Sequence, residues 1–128
     1  MAADLTDYAK NKILEHFVGK TAWTMPTVYV GLTTSTVNES ATELSGNAYA
    51  RVAIGTCATA SSGATENSAD ISFTAASGNW GTVTGFALFD ASSTGNRLTK
   101  WKALTASQTV NSGGTFKFPT GNLDVTIP

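Results

Sequence analysis

Trp80-Gly81-Thr82-Val83-Thr84-Gly85-Phe86-Ala87-Leu88-Phe89-Asp90 is the stretch that decides the fold. It is rich in aromatic residues, Val and Thr, which fit a pleated strand, and no Pro interrupts it. From Phe86 to Phe89 the apolar residues run without a break, which predicts a strand buried on both faces over that part of its length.

Working outward, the same period of two recurs. Val28, Val30 and Leu32 alternate with Thr27, Tyr29 and Gly31; Ala50, Val52 and Ile54 alternate with Tyr49, Arg51 and Ala53. Ile71 and Phe73, then 98–104, Thr109-Val110, 115–118, and finally Leu123, Val125 and Ile127 continue the series. Four triplets, Ser45-Gly46-Asn47, Ser77-Gly78-Asn79, Thr94-Gly95-Asn96 and Thr120-Gly121-Asn122, stand just before predicted strands. Gly tolerates positive φ and Asn bonds its own backbone, so each triplet reads as a turn. Segments 33–45 and 58–68 read as loops, the second long and featureless. Only 4–18 has helical spacing. Leu5, Ala9, Ile13 and Phe17 recur four residues apart, Tyr8, Leu14 and Val18 widen the stripe, Asp4 or Thr6 can cap the start, and Gly19 marks the end.

These elements predict one all-β domain over residues 1–128: an antiparallel two-sheet sandwich, jelly-roll-like, with a short N-terminal helix at 4–18 and a β-body at 26–128. The expected core is Val30, Leu32, Val52, Ile54, Phe73, Phe86, Leu88, Trp101, Phe116, Leu123 and Val125. The helix is expected to pack through Leu5, Ile13 and Phe17, or to dock on a neighbouring subunit.

Hydrophobic residues make up 41% of the chain, enough for a core, but charged residues only 13%, about half the ordinary share. Thr, Ser, Asn and Gly take their place, so the expected surface is neutral and rich in hydroxyls. With 8 basic and 9 acidic residues and no basic cluster, a nucleic-acid partner is not expected. No run of 18 apolar residues and no apolar leader occurs, so neither membrane nor secretion is expected, and Asn38-Glu39-Ser40 is read as a chance glycosylation match.

Chemistry-bearing patterns are missing. The single His16 lies on the helix off its main stripe, and the single Cys57 has no His nearby to activate it and no partner for a disulfide. One Cys and one His cannot build a zinc site. Asp70, Asp90 and Asp124 are scattered at strand edges, Glu39, Glu43 and Glu66 lie in loops, and no calcium or phosphate-loop motif is present. Two carboxylates meeting in space, as in a glycosidase, stay open. The expectation is no enzyme, no cofactor and no metal.

An ordered motif series does carry information. Tyr29-Val30-Gly31-Leu32, Tyr49-Ala50-Arg51 and Trp80-Gly81-x-Val83-x-x-Phe86-Ala87-Leu88-Phe89-Asp90-Ala91 are followed by Gly95-Asn96-x-Leu98-x-x-Trp101-x-x-Leu104, Val110-x-x-Gly113, Phe116-x-Phe118 and Leu123-x-Val125. The series resembles small virion proteins of tailed bacteriophages, of the tail-fibre-like or head-decoration kind. The resemblance implies a jelly-roll-like sandwich, many copies per particle and no catalytic residues. It does not separate head from tail; taken with the missing chemistry, the neutral surface and the amphipathic helix, the expectation is a capsid decoration (cement) protein on the outer virion surface. Such a protein is made in the host cytoplasm and bridges copies of the major capsid protein, associating with itself as a dimer or trimer. The alternative is a tail-fibre-like adhesin that meets a host receptor. Candidate interface residues are Leu5, Tyr8, Lys12 and Trp23 around the helix, and Ser61, Ser62 and Thr65 in the long loop.

Overall fold

The computed structural model describes residues 2–127. In chain order the elements are β1 (Ala2–Ala3), α1 (Asp7–Phe17), β2 (Tyr29–Thr33), β3 (Val52–Ala53), β4 (Ala64–Glu66), β5 (Ile71–Ser72), β6 (Gly81–Phe89), β7 (Lys102–Val110), β8 (Lys117–Phe118) and β9 (Asp124–Thr126). The architecture is all-β and sandwich-like with one short helix, as the alternation predicts. The larger sheet runs β3-β2-β6-β7 and is antiparallel throughout. Two smaller ladders, β1-β9-β4 and β5-β8, supply the second layer. One pair, β1 with β9, is parallel; no hydrophobic pattern in Ala2–Ala3 announced it.

The central strand β6 behaves as its sequence predicts. Its register against β2 places Val30 opposite Leu88 and Leu32 opposite Phe86, and all four face the main core. Phe118 from the second layer meets Phe86 edge-on at 5.4 Å between ring centroids, so the two layers close over these rings. On the other face of β6, Ala87 and Phe89 join Trp101 in a separate small core. Loop 33–45 covers that face with Val37 and Ala41. Trp101 is therefore buried, but in this second cluster and not in the main one. Val52, Ile54 and Val125, expected in the core, are only partly buried against it: Val52 and Ile54 lie in and just after β3, the short edge strand of its sheet, and Val125 in the three-residue β9.

Two expectations about chain organisation are corrected. The predicted strand at 98–104 begins only at Lys102 and runs on through Thr109-Val110 as one strand, β7, broken by a bulge: Val83 pairs with Gln108 but Gly85 with Ala103. Segment 58–68 is not a featureless loop but forms both arms of a β-hairpin. Cys57 bridges Asn67, Ser61 bridges Ala64, and Ser62 (φ 52°) with Gly63 (φ 74°) makes the two-residue turn. Both turn residues have positive φ, the geometry that matches strand twist.

The motif residues meet around Arg51. Its guanidinium holds Glu43 through Nε and Nη2 at 2.8 Å each, and its Nη1 donates to the carbonyls of Ala91 (2.9 Å) and Thr94 (2.8 Å). It lies over the Phe89 ring at 3.6 Å, and the Arg51 side chain is only 7% exposed. Tyr49 donates its hydroxyl proton to Glu43 and accepts the Leu32 N–H. Burial, followed by the Glu43 hydrogen bond, pushes the Tyr49 phenol far above its ordinary value. Gly31 is obligatory here: a Cβ would lie 2.7 Å from the Phe89 ring and 2.8 Å from Glu43. The series Tyr-Val-Gly-Leu, Tyr-Ala-Arg and Phe-Asp-Ala is thus one packed polar clamp that fixes loops 43–49 and 90–96.

A second clamp is Asn67, fully buried. Its Nδ2 donates to the carbonyls of Ala69 (2.9 Å) and Pro119 (3.0 Å), and its Oδ1 accepts the Leu123 N–H (2.9 Å). One side chain so ties the hairpin to the ends of β8 and the start of β9.

Candidate interaction surface

The helix owes its start to Thr6. The Thr6 hydroxyl accepts the Ala9 N–H (3.3 Å) and donates to the Arg97 carbonyl (2.8 Å), which caps α1 and anchors it on the 97–98 segment. Gly19 at φ 77° turns the chain out of the helix, and the Lys20 N–H closes on the Glu15 carbonyl. The returning chain is pinned where the Trp23 N–H donates to His16 Nδ1 at 3.0 Å.

Leu5 and Ala9 are buried and Ile13 is partly so, but Phe17 is 83% exposed. Phe17 was expected to pack; the return of the chain at Gly19 leaves its ring with no element over it. Leu14, Val18, Met25 and Ile127 are also more than half exposed, and together with Phe17 they are the large exposed hydrophobics among the described residues. All but Val18 line two hollows beside α1. A groove of about 390 Å³, lined by Ile13, Phe17, Trp23, Met25, Leu98 and Ile127 among others, runs along one flank of α1. A depression of about 280 Å³ beside it shares Leu5, Ile13 and Ile127 with the groove and is also lined by Lys10 and Leu14. Lys10 is the one charged residue in either lining.

Of the sequence candidates, Trp23 lines the groove and is half-buried, while Leu5 forms its floor and is buried, so Leu5 supports the surface from beneath. Tyr8 and Lys12 are half-buried on the helix flank, with the Lys12 ammonium 5.8 Å from the Tyr8 ring centroid. Ser61 and Ser62 are exposed at the hairpin turn, and Thr65 is half-buried with its hydroxyl donated to the Ala58 carbonyl. The two groups converge: the Ile127 N–H donates to the Gly63 carbonyl at 2.8 Å, so the hairpin turn abuts the residue that lines both depressions. Sequence reasoning missed Met25 and Ile127. The width of the helical stripe, with Leu14 and Val18 outside the line of Leu5, Ala9 and Ile13, was the available signal.

Several of the carboxylates are occupied with structure. Asp70 accepts both the N–H and the hydroxyl of Thr120, and these bonds hold its carboxyl below the usual range. Asp90 binds Asn96, Glu39 meets Arg97 and Glu43 serves Arg51. Cys57 lies at the surface, and what burial it has pushes its thiol up, away from the reactive thiolate. Among the described residues no three His, Cys, Asp or Glu side chains cluster as metal ligands would, and no helix is long and apolar enough to cross a membrane.

Fold and surface together define a class: a small β-sandwich-like module with internally clamped loops and exposed apolar residues beside its one helix. A family model described as podophage GP4 fiber I protein gp80 matches residues 4–126. The chain belongs to that family, and so to the structural proteins of a phage virion. A search of curated proteins found no match. The resemblance read from the motif series is borne out at the level of the virion; the family description names a fibre and does not name a head shell.

Proposed function

We propose that this protein is a non-enzymatic building block of a tail-fibre assembly on a tailed phage, and not a cement of the head. The match to a fibre protein over residues 4–126 carries this reading. The clamps at Arg51 and Asn67 support it: polar side chains brace loops instead of converging on a cleft. The module attaches through its apolar helix end, and its neutral Thr- and Ser-rich remainder faces the medium, where salt has little charge to screen. A fibre that meets the host makes a surface receptor the partner.

The test compares phage particles with and without the protein. Particles lacking it should lose fibre density on imaging and attach poorly to host cells, while their heads resist heat and osmotic shock as before. Particles that attach normally but burst on heating would reverse the assignment in favour of the cement reading.

A further inference from the structure

We propose that the exposed face of α1 is a contact between two copies of this chain, with the helices antiparallel about a two-fold axis at Leu14. An isologous interface needs a patch that carries both a projection and the hollow that receives it. This face has both. Phe17 projects at 83% exposure, three residues after Leu14, and the depression of about 280 Å³ lies beside Lys10, Ile13 and Leu14. Reversing one helix about Leu14 carries Phe17 of each copy onto the other's 10–14 segment, over that hollow.

The charges agree with the same operation. Asp7 opens the helix, and Lys20 sits just past its end. Asp7 lies about 10 Å before Leu14 along the axis at a rise of ~1.5 Å per residue, and Lys20 lies beyond the opposite end of the helix, past Gly19. Antiparallel packing therefore sets Asp7 of one copy near Lys20 of the other, twice per dimer. The two helix dipoles also oppose each other in this arrangement. A parallel arrangement would set like charges together. One helix face is small against the roughly 800 Å² per partner of a standard interface, so the association is of the weak, concentration-dependent kind.

Sedimentation velocity on the whole chain tests this over a concentration series. The expected result is a monomer–dimer equilibrium in the range of about 10–100 µM. Phe17→Asp, at an exposed site, should leave the far-UV spectrum unchanged and the chain monomeric. Asp7→Lys and Lys20→Asp should each weaken association about three-fold at low salt, and the double reversal should restore it. A chain that stays monomeric to about 1 mM overturns the proposal. So do a trimer, a dimer indifferent to Phe17→Asp, a double reversal that fails to restore association, and monomers that sediment only with anionic lipid vesicles.

Discussion

Replacing Asn67 with Ala removes the one buried side chain that joins three separate segments. The change deletes two donated bonds, to the Ala69 and Pro119 carbonyls, and the bond accepted from the Leu123 N–H. A further contact to the Phe118 carbonyl at 3.4 Å is too long to count for much. Each intramolecular hydrogen bond contributes about 1 kcal/mol net, and a buried group left without a partner costs about 1–3 kcal/mol. Water reaches the site poorly, because Asn67 is 0% exposed. The expected loss is therefore about 3–4 kcal/mol, a large part of the roughly 5–15 kcal/mol that holds a domain together. For a chain of this size that lowers Tm by roughly 10–15 °C. Urea unfolding followed by tryptophan fluorescence measures it, with Ser68→Ala as the neighbouring surface control. A loss below about 1 kcal/mol, inside the range of ordinary surface changes, would refute the view of Asn67 as the knot between hairpin, β8 and β9.

Phe86→Ala should cost about 3–5 kcal/mol in the same assay, since the ring is fully buried against Phe118; a loss under about 1 kcal/mol would mean the two faces of β6 are wrongly assigned. Arg51→Lys should cost about 2–3 kcal/mol despite keeping the charge, because an ammonium cannot serve Glu43 and both carbonyls at once or stack on Phe89; near-neutral behaviour would remove the clamp from the account. The raised Tyr49 phenol predicts a pH effect of definite sign. Its contribution to stability is complete below the unfolded value of about 10 and is lost as pH rises above it, so Tyr49→Phe should flatten the alkaline limb of a Tm-against-pH curve. An unchanged limb would contradict that. Asp70 has the opposite sign: its contribution holds above the ordinary carboxylate range and fades as pH falls through its lowered value, so Asp70→Asn should be felt at neutral pH and progressively less as the medium is made acid.

Some of this protein is written in short stretches of sequence. The alternation of Val28, Val30 and Leu32 and the unbroken run Phe86 to Phe89 specify strands and their faces, because successive side chains of a strand point to opposite sides whatever lies beyond them. Thr6 and Gly19 mark the ends of α1 for an equally local reason, since each serves backbone groups within one helical turn. The motif series resembles phage virion proteins by its residues alone, and several of those residues build the clamp at Arg51. Other features depend on residues far apart in the chain. Segment 56–68 has no apolar alternation, so its hairpin forms only because β9 offers an edge to β4 and Asn67 finds partners around 119–123. A buried Asn looks like any turn Asn until its three segments of chain are brought together. The helical stripe predicts an apolar face but not its cover: Leu5 and Ala9 found the core, while Leu14 and Phe17 did not. Periodicity records what a residue can bury; only the summed geometry of distant strands determines whether anything is there to bury it.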